Sequence, residues 1–528
     1  MSNEIFFGLE AMNKMKEGID VGGNAVKVTL GAFGRTVFIY NKDTQHLEAT
    51  KDGVTVITSM RLKNQVQDAG LKQIQEVANK TAHEVGDATT SASVLFQEIV
   101  SQGIKLKQSG INPTDLRRGM EKASKSITET ICRFKKDIGN NKKILRQVAS
   151  VSANGDSEIG DLIGGIYEKL GKHAAIEVID GQSPETTVEL VNGFQFLGGY
   201  LSEYFINTPN NTSELINPYI LIIDGKVEDL QKINPILEKV IQENRSLVIL
   251  ADDFAPNVSA SVLRNVKEAK RKWGLIKHQF SGTTKDELLL DLCAYTGATL
   301  ITEKTGKKIE NIDTSFLGEC EQIISKKEET TIYNGKSNKK EVALRIEDAN
   351  QKIKTATNSF VKEKYELRLA KLSGSVAMYY VGGNSKVEVS EKMARIDDSI
   401  RATRCAVTDG VVVGGGAMLL KCIADIEKLK WDNEDEKSGI KLIQKSIEKP
   451  FWQICDNAGK NGSLLAEKVK EKGGNYGYNC KTDKIEDMFK AGIIDPAKVV
   501  TKCAENAISA AIQFLISECV IVNEIVNS

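Results

Sequence analysis

Hydrophobic and polar positions change rhythm twice along the chain. In the first stretch Leu71, Ile74, Val77 and Ala78 recur at helical spacing, and so do Val94, Leu95, Ile99 and Val100. A third helix is predicted to open at Asn112-Pro113, a capping side chain followed by proline in the first turn, with Leu116, Met120, Ala123 and Ile127 as its apolar face. In the middle, short apolar runs at 219–223, 247–251, 274–277 and 298–302 alternate with amphipathic segments near 228–243, 257–272 and 284–295. That alternation predicts a parallel α/β core. A long polar helix over 347–372 and a strand over 376–381 follow. The last part returns to helices: the strand 411–413 leads through Gly414-Gly415-Gly416 into an apolar helix, and another helix is predicted over 497–520. The charged run 431–437 reads as a solvated loop. The order helical, α/β, helical suits an α/β domain inserted into a helical one whose two halves meet in space.

Bulk properties narrow the function classes. A chain of 528 residues is too long for one hydrophobic core. Its 71 basic and 71 acidic residues leave no basic excess, so a nucleic-acid partner is not expected. No run of about 18 apolar residues appears, so no membrane span is expected. The opening MSNEIFFGLEAMNKMKEGID carries acids early and no long apolar core, so a secretory leader is not expected either. The nine cysteines lie far apart with no CxxC pair, and read as reduced thiols of a cytoplasmic protein. Four scattered histidines make a zinc site a poor expectation.

Four loops are candidates for phosphate chemistry, although neither GxxxxGK[ST] nor a GxGxxG after a strand is present. Gly86-Asp87-Ala88-Thr89-Thr90-Ser91 directly precedes the helix of Val94. Helix N-termini offer open backbone N–H groups to an anion, hydroxyls add donors, and an aspartate in the turn suits Mg2+. A plain helix cap is the competing reading. Thr29-Leu30-Gly31-Ala32-Phe33-Gly34-Arg35 has two glycines that permit close backbone approach, or is an ordinary turn. Lys51-Asp52-Gly53 reads as a hairpin turn or as part of a site. Gly414-Gly415-Gly416 could let a nucleotide lie on the backbone or could pack helix on strand. The acidic pair Asp397-Asp398 alone reads as solvated surface.

Order and spacing of these segments carry a resemblance. VKVTLGAFGR, TKDGVTV, GDATTSA, GINPTDLRRGMEKA, SANGD, GGYLSEYFI, RIDDSIRATRCAV, DGVVVGGGA, GNYGYN and GIIDPAKV resemble, in this order, the group I (GroEL-type) chaperonins across essentially the whole chain. The resemblance implies a multidomain α and α/β fold. Its helical equatorial ATP-binding domain would comprise 1–133 and 410–528, a small intermediate hinge domain 134–190 and 377–409, and an inserted α/β apical domain 191–376. It implies an ATPase that captures and encapsulates non-native proteins in a ring cavity and assists refolding. A chaperonin-fold binding or scaffold protein with a specialised client is the alternative. The implied partners are unfolded clients and copies of the chain in a seven-subunit ring, single or double, with a co-chaperonin lid left open. The implied cofactors are ATP, Mg2+ and K+.

Carried over by position, Thr29, Leu30, Gly31 and Ala32 would line the phosphates, with Lys51 near them beside K+. Asp87 would hold Mg2+, while Ala88, Thr89, Thr90 and Ser91 cradle phosphate. Gly414 and Gly415 would meet the nucleoside, Asn479 and Cys480 would border the base, and Asp495 would accept from ribose hydroxyls. Asp398 would position the attacking water, assisted by Asp52. Tyr200, Tyr204, Phe205, Ile233, Leu237 and Leu263 would keep the apolar client surface.

The sequence also departs from the family pattern. LGAFGR stands for LGPKGR, and GDATTS for GDGTTT. Asn234, Ser259 and Arg264 replace aliphatic residues of the client surface, and the segment 278–283 replaces a glycine-rich basic one. Hydrolysis is expected to persist with altered affinity or rate, and a specialised client, a divergent lid or lidless operation all fit the changed client surface.

Overall fold

The structure, a computed structural model, describes residues 3–41, 46–138, 141–153, 155–171, 173–181, 183–279, 283–302, 313–356, 359–372 and 374–523. Contacts divide the chain into two units, Met1–Lys172 with Gly383–Ser528, and His173–Gly382.

The first unit is helical and draws on both chain ends. Its longest helices are Gly8–Val26, Gln65–Val85, Thr89–Gln108, Pro113–Phe134, Lys386–Asp409 and Ala497–Ile516. Ile19, Leu71, Leu95, Met120, Ile443 and Ala507 lie in one buried cluster, so neither end could bury its apolar face alone. Two helix crossings are tight enough to need glycine. A Cβ on Gly18 would fall 1.8 Å from the Gln67 carbonyl oxygen, and one on Gly70 would fall 1.9 Å from that of Met15. Gly119 and Gly439 make the same reciprocal approach between Pro113–Phe134 and Glu434–Ser446.

Several sequence expectations change here. The run 431–437 is not a loop throughout. The Asn433 side chain accepts from the Glu436 N–H at 2.8 Å and starts the helix Glu434–Ser446. Three acids in its first turn favour the positive end of the helix dipole. The last helix stops at Ile516 rather than 520. The β-branched run Val520-Ile521-Val522 instead pairs antiparallel with Asn3–Phe7. Ala497–Ile516 is long and apolar enough to cross a membrane by composition. It packs against Thr89–Gln108 and Pro113–Phe134 with most of its apolar residues buried, as a core helix does.

The second unit is built on a mixed sheet in the order Trp273–His278, Leu247–Ala251, Tyr219–Asp224, Gly318–Ser325, Glu329–Gly335, Thr187–Tyr200, Ser375–Val381, Ala175–Asp180. The first three strands are parallel, as the alternation predicted. The next four pairings are antiparallel. Three residues separate Gly318–Ser325 from Glu329–Gly335, far too few for a parallel crossover. The expected polar helix over 347–372 is two helices, Lys339–Thr355 and Ser359–Leu372. Two separate helices bring Arg345 and Arg368 to the fully buried Asp291 carboxylate, at 2.8 and 2.6 Å. Removing one partner would leave a buried charge uncompensated.

Replacing Gly70 by Val should force the first crossing apart and cost about 1–3 kcal/mol, read as a lower urea midpoint at unchanged slope.

Candidate functional site

A cleft of about 1190 Å³ opens in the helical unit, and its walls come from segments far apart in sequence. It is lined by Thr29, Leu30, Gly31, Ala32, Lys51, Asp52, Asp87, Ala88, Thr89, Thr90, Ser91, Asp398, Gly415, Asn479, Cys480 and Asp495. Of the nucleotide-site candidates only Gly414 is outside this lining. A Cβ there would lie 2.8 Å from an Asp495 carboxylate oxygen, so Gly414 gives Asp495 room rather than facing the cleft.

Local chemistry explains each wall. After the turn Lys27–Thr29 the chain closes on itself, with the Gly34 N–H donating to the Gly31 carbonyl at 2.9 Å and the Arg35 N–H to that of Val28 at 2.8 Å. The Asn457 side chain donates to the Lys27 and Leu30 carbonyls, each at 2.9 Å, and fixes the loop from behind. Lys51-Asp52-Gly53 is not a hairpin turn. Asp52 caps the helix Gly53–Thr58, accepting from the Val54 N–H at 3.1 Å and from the Thr55 N–H and hydroxyl at 2.8 and 2.6 Å. Gly53 presses on Thr90: a Cβ would fall 2.1 Å from its hydroxyl oxygen.

The Asp87 loop joins two long helices. Gly86 closes Gln65–Val85 in the left-handed region, and Ala88 sits at φ 60° directly before Thr89–Gln108. No side chain caps that second helix. Its first N–H groups are therefore open toward the cleft wall that Ala88, Thr89, Thr90 and Ser91 form. The competing reading of this segment as a side-chain cap does not describe it. The strand pair Val411–Val413 and Ile494–Pro496 sets Asp495 opposite Val412, and the Gly415 N–H donates to its carboxylate. Asn479 ends the strand Tyr476–Asn479, and its amide donates to Glu486 at 2.7 Å.

The electrostatics are uneven. Burial pushes the Asp87 carboxyl up, against hydrogen bonds from the Ala88 N–H and the Ser152 hydroxyl, and the Asp52 charge adds to the rise. Burial also pushes Asp398 well above the carboxylate range, reinforced by Asp87, Asp52 and Asp397 and opposed by Arg401. Asp495 is pushed up to about 7 by burial and by Asp87. Asp398 is thus no solvated surface residue. Among the described residues no three of these acids converge on one point, so a divalent cation here would take one carboxylate together with oxygens of its ligand.

Sequence reasoning left part of the cleft unassigned. Ser152, which hydrogen-bonds Asp87, lies in the SANGD motif but received no role. Lys143, Arg146, Lys386, Arg395 and Lys481 also line the cleft. No local pattern separates such lysines and arginines from ordinary helix-surface charges.

A family model described as the TCP-1/cpn60 chaperonin family matches residues 23–524. The chain belongs to that family. Crystal structures of the chaperonin gp146 from the bacteriophage EL 2 (Pseudomonas aeruginosa), in presence of ATP-BeFx, share its fold. Crystal form II is 20% identical with a TM-score of 0.77, and form I is 19% identical with 0.68. Each alignment covers 98% of this chain and 99% of the other.

In the second unit of this chaperonin the residues assigned to client capture divide. Phe205, Ile233 and Leu237 are buried in the core with Leu221, Ile249 and Leu275, so in this conformation they are not a capture surface. The helix Asn234–Gln242 with Leu237, the turn Leu230–Ile233 with Ile233 and the turn Glu203–Phe205 with Phe205 use these side chains to seal the sheet. Tyr200 and Leu263 are half-buried, and Tyr204 is 65% exposed beneath the Lys267 ammonium, 3.7 Å from its ring centroid. Of the segment 278–283, residues 280–282 lie outside the described residues.

Two outcomes test this geometry. Ala88→Gly should relieve the left-handed strain and, with part of the gain offset by the larger entropy of glycine in the unfolded chain, stabilise the protein by about 0.5–1 kcal/mol, seen in denaturant melts. Asp495→Asn tests the crowding. An acid raised by folding binds more protons folded than unfolded, so stability falls as pH rises from about 4 to about 7 and stays lowered above. In chelator-treated protein the Asn variant should therefore melt higher than the parent at pH 8, and the gap should close near pH 4.

Proposed function

We propose that this chaperonin is an ATPase that hydrolyses Mg-ATP in the cleft and uses the cycle to capture, enclose and release non-native proteins. The observation that carries the reading is the joining of an open helix N-terminus and two glycine-bearing loops with Asp52, Asp87, Asp398 and Asp495, where the Asp87 charge opposes ionisation of both Asp398 and Asp495.

On this reading Thr29, Leu30, Gly31, Ala32 and residues 88–91 hold the phosphates through backbone N–H and hydroxyl donors. Asp87 holds Mg2+, oriented by the Ala88 N–H and the Ser152 hydroxyl. Lys51 adds positive charge, with K+ beside it. Asn479 and Cys480 border the base, Gly415 meets the nucleoside, and Asp495 accepts from the ribose. Bound Mg2+ supplies charge neutralisation at the phosphates. Asp398 orients the attacking water and takes its proton once it is ionised, which the charge of a cation held by Asp87 would favour. Asp52, with both oxygens engaged in capping, assists as a fixed charge.

Asp398 sits on Lys386–Asp409, within the second of the two proposed hinge segments, 134–190 and 377–409. Movement of that helix would couple hydrolysis to closure. The equatorial segments 1–133 and 410–528 then carry the nucleotide, and 191–376 the client. Assembly as a seven-subunit ring, single or double, belongs to the same reading, with a lid as a further partner. The burial of Phe205, Ile233 and Leu237 favours a specialised client over general capture of apolar chains.

Purified protein should hydrolyse ATP only with Mg2+, and Asp398→Ala should lower kcat by about 10²-fold or more while ATP binding persists. ATP-dependent recovery of a denatured test protein, with and without a lid protein, separates general from specialised folding. A parent without hydrolysis, or an Asp398→Ala variant as fast as the parent, overturns the reading.

A further inference from the structure

The helix Pro256–Lys267 of the second unit buries one face and leaves the other bare. Val258 and Val262 lie in the core with Ile233 and Leu237, and Leu263 and Val266 pack against it. Ser261, Arg264, Lys267 and Glu268 form the exposed stripe. Past the helix end the chain turns through Lys270, Arg271 and Lys272 into the strand Trp273–His278. Residues 264–272 thus hold five cations and one acid, in a chain whose basic and acidic residues balance at 71 each. The nearest paired cations along the chain, Arg245 and Lys277, meet Glu319 and Asp253 at 2.9 Å. Among the described residues none of the five cations between them is in an ion pair. Helix-dipole attraction accounts for Arg264 and Lys267 in the last turn, but it fades beyond that turn and does not account for Lys270, Arg271 and Lys272. We propose, on the basis of the capture reading above, that this basic face binds acidic segments of non-native polypeptides and so selects the client by charge.

The aliphatic grips that would serve a purely apolar client are turned inward here, since Phe205, Ile233 and Leu237 are core residues. What remains outside is cationic, with exposed Tyr204 set beneath the Lys267 ammonium at 3.7 Å. An extended acidic segment finds carboxylate partners at Arg264, Lys267, Lys270 and Lys272, and apolar contact at Tyr204 and half-buried Leu263. The backbone that carries these cations is already fixed. Lys270 takes the left-handed conformation at φ 53°, the Arg271 N–H donates to the Asn265 carbonyl at 3.1 Å, and the Leu247 N–H donates to the Lys272 carbonyl at 3.0 Å. A preformed turn lowers the ordering cost of binding.

Exposed charge pairs are individually weak and screened by salt, so an acidic segment held by several of them is bound reversibly. Reversible binding suits a client that is captured and then released. A nucleic-acid strand needs cations that follow its phosphates along a groove. These five are confined to one helix end and one turn, and the chain has no basic excess.

The test uses the purified full chain and a disordered peptide of Glu, Gly, Ser and occasional Phe, labelled with an uncharged dye, beside the same peptide with every Glu replaced by Gln. Fluorescence anisotropy at low salt should show the Glu peptide bound about tenfold tighter, with the advantage shrinking as NaCl is raised. Combined Arg264→Gln, Lys267→Gln, Lys270→Gln and Lys272→Gln should remove that advantage while the urea midpoint stays at the parent's value, because all four side chains are exposed. Combined Lys267→Arg, Lys270→Arg and Lys272→Arg, which keeps the charge, should bind as the parent does. If the Gln variant melts lower, the peptide pair and the salt series on the parent still decide. A Glu peptide bound no tighter than its Gln counterpart overturns selection by charge, and capture stands if a denatured test protein still binds. If that protein also stays free, the capture reading falls too. A charge preference that survives in the Gln variant overturns the assignment to this face. A mixed-sequence single-stranded oligonucleotide that binds tighter than the Glu peptide, and loses its binding in the Gln variant, overturns the polypeptide as the occupant.

Discussion

Everything in the helical unit is arranged around one electrostatic liability, four carboxylates brought to one cleft. Asp87, Asp398 and Asp495 are each raised first by burial and then by Asp87 or its neighbours, so each ionisation makes the next harder. Such crowding is tolerated because the aspartates arrive on separate rigid elements. Asp52 is a helix cap, Asp87 a loop between two core helices, Asp398 a helix face and Asp495 part of a strand pair. Burial of both chain ends in one core sets these elements in place.

The same cleft holds the opposite sign beside the acids. The open N-terminus of Thr89–Gln108 and the Lys51 side chain favour anions. A free phosphate would meet the repulsion of the aspartates. A lone cation would leave the helix N–H groups without an acceptor. A metal-chelated polyphosphate presents both charges at once, which is why the Mg-nucleotide reading accounts for more of the site than either ligand would alone.

How much of this was legible in the sequence varied with the range of the interaction. Helices with strong apolar faces, such as Gln65–Val85 and Pro113–Phe134, were legible because their period is local. The glycine-bearing loops stood out, but only their order along the chain gave them meaning. The start of Glu434–Ser446 was hidden because acids at a helix N-terminus look like a solvated charge run. The break near 356 carries no local signal, and the ion pairs that hold the two helices to Asp291 through Arg345 and Arg368 join residues over fifty positions apart. Likewise nothing local marks Ile233 and Leu237 as core rather than surface, since both faces of a thin sheet layer need aliphatic side chains.

Departures from the family pattern therefore act differently in the two units. At Ala88 a residue with a methyl group occupies a left-handed position. The backbone keeps φ 60°, because Gln65–Val85 and Thr89–Gln108 are both fixed by the core and leave only that turn between them. Strain held in this way is a sign that the surroundings over-determine the conformation. In the second unit the changed residues are surface groups, and nothing comparable restores what they lose. Arg264 is exposed, and the Ser259 hydroxyl is turned back to donate to the Ala255 carbonyl at 3.4 Å. Exposed Tyr204 is left under a lysine rather than beside aliphatic neighbours. Packing thus holds the geometry of the cleft, whereas the exposed side chains on the outer face of the α/β unit are not fixed by a core.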